Sequence, residues 1–233
     1  MNHKRTAAYA ASVGLGAWTG FTVLALVVAG HHGAPLAVDR ALLAWSLGHR
    51  PDVAVAVARG LTATGTGVVP YALAVLAGVL AARTPRWWPA AALLCVTCLA
   101  LGQAARFGVL ELIARARPPQ ADWQAHASGW SFPSGHSTTS ALAAGLLVLA
   151  LCIRAPRGRT AWCVAVSCWG LAVGATRVFL GVHWCTDVVG GWLFAVGWLG
   201  ICWCVAARWM PDPGTPGDLS ESPAAESGGR GGG

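Results

Sequence analysis

Ser131–Ile153 reads SFPSGHSTTSALAAGLLVLALCI. A helix-starting block runs directly into an apolar stretch, Ser137–Ile153, that holds no charged residue. A bilayer crossing needs about 20 mostly apolar residues, so this stretch reads as a spanning helix. Five further runs read the same way: Ala7–Gly30, Gly67–Ala82, Trp87–Leu112, Thr160–Val178 and Val188–Ala207. Gly67–Ala82 is the shortest of the set. The fold class expected is all-α, a polytopic six-span helical bundle, because helices satisfy their own backbone in lipid.

Composition agrees. Of 233 residues, 55% are hydrophobic and 11% charged, whereas soluble domains carry roughly a quarter charged residues. The net charge of +7 does not point to nucleic acid as a partner, because most arginines flank apolar runs rather than forming a basic polar surface. Of eight cysteines, Cys95, Cys98, Cys152, Cys163, Cys168, Cys202 and Cys204 lie in or at the end of apolar runs, where a thiol behaves as a small hydrophobe. Cys95 and Cys98 form a CxxC with no second pair at zinc spacing, so no metal site is expected. Cys185, between His183 and Asp187, reads as a small filler.

The first run follows Lys4-Arg5 as a signal peptide would, but it is too long and reads as a retained anchor. Gly14, Gly16 and Gly20 are its candidate close-packing points. Pro35–Thr64 is mixed in character. Leu36, Leu42, Leu43, Trp45 and Leu47 suggest an amphipathic interfacial helix, followed after Arg50-Pro51-Asp52 by a second short helix. Lys4, Arg5, Arg83, Arg86, Arg154, Arg157, Arg159 and Arg208 fall on one side, and the acid-free turns 83–86 and 154–159 mark that side as cytoplasmic. The domain plan is a cytoplasmic segment 1–6, a membrane domain 7–210 and a disordered Gly/Pro/Ser/Glu-rich tail 211–233. Both termini are then cytoplasmic.

On this topology the outward ends of the last four spans carry polar residues suited to an anion. Ionisable residues at membrane depth are costly and point to function. Arg117-Pro118-Pro119 ends the Trp87–Leu112 span, and a guanidinium fork fits two phosphate oxygens. Snorkelling at the interface is the plainer role for that arginine. Ser134 is placed to cap the next helix, Gly135 permits close approach of a ligand, and His136 stands in the first turn. In the third block Arg177, His183 and Asp187 follow in order. His183 and Asp187, four apart, would share a helix face, with the carboxylate orienting the imidazole. A turn at Gly181 would swing Arg177 toward them. Between Trp123 and Thr186 there is no acid, which favours an anion pocket. Trp123, Trp130 and Trp184 suit interfacial anchoring.

At these residues the chain resembles the type 2 phosphatidic acid phosphatase superfamily over roughly 105–205. Arg117-Pro118, Pro133-Ser134-Gly135-His136, and Arg177, His183 and Asp187 match its three blocks in order and spacing. The resemblance implies a metal-free, cofactor-free phosphoryl transfer. His183 would be the nucleophile, Asp187 its orienting carboxylate and His136 the acid and base. Arg117, Arg177, Ser134 and Gly135 would bind the phosphoryl oxygens. Two positions depart: Thr176 replaces a Ser, and Leu110 stands where the family has Lys. Arg106, one turn before Leu110, is the expected substitute, with Arg115 the other candidate. The substrate expected is a membrane lipid phosphate at the extracytoplasmic face, an isoprenoid diphosphate such as the undecaprenyl carrier first. Phosphatidic acid and phosphatidylglycerol phosphate follow. A catalytically inactive lipid-binding or scaffold protein is the alternative of another class. A transporter reading lacks the internal repeats and mid-membrane charges it would need.

Overall fold

The structure, a computed structural model, describes residues 3–82 and 84–209. Among the described residues eight α-helices form: α1 His3–Gly30, α2 Ala37–Gly48, α3 Asp52–Ala63, α4 Val68–Ala81, α5 Trp88–Ile113, α6 Gly135–Arg154, α7 Arg159–Phe179 and α8 Cys185–Trp209. No strand occurs among the described residues, so the chain is all-helical. Arg83, the tail 211–233 and the side chains of Lys4, Arg5 and Arg208 lie outside what is described.

Among the described residues five helical stretches are long and apolar enough to cross a bilayer: Ala8–Gly30, Pro85–Ile113, Gly135–Arg154, Arg159–Phe179 and Cys185–Ala207. The expected second span is corrected. Alone, α4 has 14 residues, about 21 Å at 1.5 Å per residue, against a hydrocarbon core of about 30 Å. It reaches spanning length only together with α3, across a 51° bend. The short helix expected after Pro51 is therefore half of a bent pair, while α2 is the separate amphipathic helix expected before it. Asp39, Leu43 and Ser46 form the buried side of α2, and Val38, Leu42, Trp45 and Leu47 are exposed.

Helix α6 is the centre of the bundle. Leu142 and Ala143 pack with Leu99 of α5 and Ala195 of α8, and Leu147, Ala150 and Leu151 pack with Ala77 of α4. The peripheral helices turn large apolar side chains outward, as with Leu93, Leu94 and Leu101 on α5. That is costly in water and natural in lipid. Helix α1 closes on α8 at one point of backbone contact: a Cβ on Gly200 would lie 2.7 Å from the Gly14 Cα. Of the three glycines expected to pack closely, only Gly14 does. Gly16 has no neighbour within 4 Å of its Cβ position, and Gly20 meets Leu193 at an ordinary 3.6 Å.

This arrangement gathers the C-terminal ends of α5 and α7 and the N-terminal ends of α6 and α8 at one end of the bundle, beside α2 and α3. The basic turns holding Arg86 and Arg154–Arg159 lie at the other end, where Arg154 donates to the Ala82 carbonyl at 3.5 Å.

Candidate active site

The N-terminus of α6 is seated by two glycines of α8. A Cβ on Gly190 would lie 2.5 Å from the Phe132 ring, and one on Gly191 would lie 2.9 Å from the Ser134 carbonyl oxygen. Only hydrogen at both positions lets the 131–135 segment lie flat on α8. The Ser134 N–H then donates to the Asp187 carbonyl at 3.0 Å, and the Ser134 hydroxyl caps α6 by accepting from the Ser137 N–H at 3.5 Å. The first N–H groups of a helix have no internal partner and carry the positive end of its dipole. Arg106 of α5 reaches this same turn. Its guanidinium donates to Gln103 at 2.8 Å and to the Pro133 carbonyl at 3.3 Å, and its carbon would lie 3.5 Å from a Gly135 Cβ.

Helix α7 ends at Phe179, and Gly181, at φ +72°, reverses the chain. The left-handed conformation there suits glycine, and a Cβ would also lie 2.5 Å from the Asp122 carbonyl oxygen. This turn delivers His183, 3% exposed, beside Asp187 in the first turn of α8. The imidazole Nδ1 faces Asp187 Oδ2 at 3.3 Å, and Nε2 faces Arg117 Nη1 at 2.9 Å. Guanidinium is a donor only, so Nε2 must offer its lone pair. The proton therefore sits on Nδ1 and is donated to Asp187. Burial and the nearby Arg117 and Arg177, opposed by Asp187, push the His183 pKa down to about 4, so the ring is neutral at pH 7.

Asp187 is fully engaged. Its Oδ1 accepts from Arg115 at 2.5 Å, and its Oδ2 accepts from the Ser131 hydroxyl and from the Trp184 N–H at 2.9 Å. Arg117 is held by three carbonyls, Val182 at 2.9 Å, Ser128 at 2.9 Å and Gly129 at 3.0 Å. Arg177 is 3% exposed; its Nη1 donates to the Thr62 hydroxyl at 3.0 Å while its Nε is buried with no partner. Arg177 and His136 line a cleft of about 600 Å³ that continues past Thr62, Trp123 and Gln124 to Arg59 and His126. No carboxylate lines it. A neutral, oriented imidazole in contact with Arg117, near an acid-free cleft lined by Arg177, Arg59 and His136, suits attack on a phosphoryl group.

The sequence profile of the PAP2 superfamily matches residues 91–211, more than half the chain. The chain belongs to the PAP2 superfamily. It resembles the lipid A 1-phosphatase of Rhizobium etli at 35% identity, over 40% of this chain and 44% of that protein. It resembles phosphatidylglycerophosphatase B of Bacillus subtilis at 40% identity, over 38% of this chain and 44% of that one. The chain thus spans less than half the length of these curated relatives. The crystal structure of a transmembrane PAP2-type phosphatidylglycerolphosphate phosphatase from Bacillus subtilis shares the fold, with TM-score 0.66 and 26% identity, covering 84% of this chain and 94% of that one. This protein is therefore a multi-pass membrane member of the PAP2 superfamily.

Within this PAP2 site the fold gathers His183, Asp187, Arg117, Ser134, Gly135 and Arg106 by direct contact, and Arg177 and His136 along the cleft. Three expectations are corrected. His183 does not share a helix face with Asp187, because Gly181 ends α7 and α8 begins only at Cys185. Arg115 does not face the cleft; it is fully buried between Asp39 and Asp187. Trp184 is no interfacial anchor, being 6% exposed with its N–H donating to the Ala116 carbonyl at 3.0 Å. Trp130, in contrast, is exposed. Cys185 does more than fill space, since its thiol donates to Asp39 at 3.1 Å. Asp39 and the Ser131 hydroxyl were missed. A lone acid in the amphipathic stretch 36–47 was the available signal for Asp39.

Proposed function

We propose that this PAP2 protein is a lipid phosphatase that removes a terminal phosphate from a membrane lipid through a phosphohistidine. The observation that carries this is the state of His183, with its Nε2 lone pair turned toward Arg117 and its Nδ1 proton held by Asp187. In the first step Nε2 attacks phosphorus, a P–N bond forms, and the P–O bond to the lipid breaks. His136 gives its proton to the departing lipid oxygen, and Asp187 stabilises the imidazolium. In the second step His136 takes a proton from water. The water oxygen bonds to phosphorus, the P–N bond breaks, and phosphate leaves. Arg117, Arg177, Arg106 and the Ser134–Gly135 turn bind the phosphoryl oxygens. In this reading Arg106 replaces the missing Lys, because Leu110 is buried and apolar.

The substrate reading places glycerophospholipid monoesters before isoprenoid diphosphates, since relatives of this chain carry the name phosphatidylglycerophosphatase B. The cleft refines the order. Its extension to Arg59 and His126 favours a headgroup with a second anionic group beyond the reacting one. Phosphatidylglycerol phosphate has such a group and phosphatidic acid does not. An isoprenoid diphosphate also has one, and it is the second reading for that reason. The basic turns 154–159 at the opposite end favour an extracytoplasmic active site and cytoplasmic termini.

The test is phosphate release in detergent micelles over these three lipids, with chelator present, for wild type and His183→Ala. Wild type is expected to turn over without metal, and the variant to lose about 10⁶-fold, the order seen when a nucleophile is deleted. Equal turnover by the variant would remove His183 from the mechanism.

A further inference from the structure

Behind Asp187, on the side away from the cleft, lies a second carboxylate that the PAP2 blocks do not include. Asp39 of α2 is 1% exposed and far outside the matched region 91–211. Its Oδ2 accepts from Arg115 Nη2 at 2.8 Å and from the Leu36 N–H at 3.0 Å. Its Oδ1 accepts from the Thr186 N–H at 2.9 Å, the Thr186 hydroxyl at 2.9 Å and the Cys185 thiol at 3.1 Å. The other Arg115 amine, Nη1, donates to Asp187 Oδ1 at 2.5 Å and to the Thr186 hydroxyl at 2.7 Å. One guanidinium, itself 0% exposed, is thus stretched between two buried carboxylates.

We propose that Asp39 is a positioning residue that acts through Arg115 to set both the orientation and the effective charge of Asp187 as His183 attacks. The inference rests on the phosphohistidine reading. Attack by Nε2 turns a neutral imidazole into a cation, and Asp187 is the carboxylate in contact with it. An Arg115–Asp187 pair alone would be neutral and would stabilise that cation weakly. With Asp39 included, the two acids and one base carry a net negative charge beside His183 in a low-dielectric interior. Geometry acts in the same direction. Asp39 holds the start of α8 through Thr186 and Cys185 and holds Arg115, whose other amine occupies Oδ1 of Asp187, so that Oδ2 faces Nδ1 alongside the Ser131 hydroxyl and the Trp184 N–H. Stability is a poor reason for such a cluster, since buried ion pairs are often no better than packed apolar side chains. Asp39 does not line the cleft, so it has no path to the substrate except through Asp187.

The test is steady-state kinetics of Asp39→Asn in the full-length protein on the lipid turned over best by wild type. The kcat is expected to fall about 10- to 100-fold, the size of effect produced by a misplaced catalytic group, with KM within about twofold. The acid limb of kcat/KM is expected to move to lower pH, because loss of a negative charge disfavours protonated His183. An unchanged kcat, or a loss accompanied by a raised KM and an unmoved limb, would overturn the proposal. If Asp39→Asn does not accumulate in membranes, the double variant Asp39→Asn/Arg115→Gln decides on orientation, because removing one acid and one base keeps the net charge beside His183. Lowered kcat with KM kept and the acid limb unmoved supports positioning, and wild-type kcat overturns it. Loss of both variants from the membrane also overturns it, marking Asp39 as a folding residue. Wild type inactive on every lipid phosphate would defeat the phosphatase reading itself, an outcome distinct from an active wild type with an equally active Asp39→Asn.

Discussion

The two sides of His183 are built on opposite principles. On the Nδ1 side, Asp187, Arg115 and Asp39 are buried, and both oxygens of each carboxylate accept hydrogen bonds. On the Nε2 side, Arg117 touches the ring, Arg177 keeps a buried Nε without a partner, and the cleft is lined by donors and no acid. A saturated network holds one geometry because every change leaves a buried polar group unpaired. An unsaturated one has donors left for an incoming anion. The contrast fits the proposed mechanism, in which one imidazole is fixed in tautomer and yet faces an incoming phosphoryl group.

Breaking the saturated side should cost most after loss of the ring itself. Asp187→Asn is expected to lower kcat about 10⁴-fold, as when an orienting carboxylate is replaced and the tautomer is lost. Phosphate release under saturating lipid measures this, and a change below tenfold would show that the ring is held by other contacts. On the cleft side, Arg177→Gln should cost about 10²- to 10³-fold, the size for one preorganised transition-state donor. A purely structural Arg177 would instead lower the unfolding temperature and leave kcat of the surviving protein intact. Arg106→Ala is expected to cost less, about tenfold, because Arg117 and Arg177 remain. Full activity in that variant would leave the Lys position that Leu110 occupies without a substitute.

The smallest effect sharpens the comparison through pH. Asp187 from α8 and Arg117 from the segment after α5 touch the ring, and Arg177 from α7 and His136 from α6 act on it through space. Burial with Arg117 and Arg177 places the His183 pKa at about 4, below its ordinary 6.5. The neutral ring is the reactive form, so kcat/KM should hold its His183 dependence down to about pH 4. Stability moves with it. Between pH 6.5 and 4 the unfolded chain binds this proton and the folded one does not, so the folded state loses stability as pH falls through that window. A His183-dependent limb near pH 6.5 would mean that the ring is more solvated than its 3% exposure indicates.

The two sides also differ in how far they could be read in advance. Arg117, Ser134, Gly135, His136, Arg177, His183 and Asp187 lie in three short blocks with fixed spacing, and Arg106 lies one turn from the position that departs. The saturated side had no such marker. Arg115 is the other candidate for the place of the missing Lys, but the chain after α5 leaves the helix at Ala114, at φ +48°, and points Arg115 and Arg117 to opposite sides of His183. Asp39 lies 148 positions before Asp187 and meets it through Arg115 and Thr186.

The membrane environment, the helical class and the three motif blocks holding Arg117, Ser134–His136, Arg177, His183 and Asp187 are legible in the sequence, whereas Arg59, Thr62 and His126 of the cleft are not. Apolar run length and motif spacing are local properties that do not depend on how helices meet. Only the tertiary structure decided that α3 and α4 must combine across a bend to reach spanning length, that Gly14 packs and Gly16 does not, and that His183 sits in a turn. It alone showed that Asp39, Arg115 and Asp187 form one buried cluster. Those outcomes depend on which faces of separate helices touch, and burial then sets the charge balance that no stretch of sequence contains.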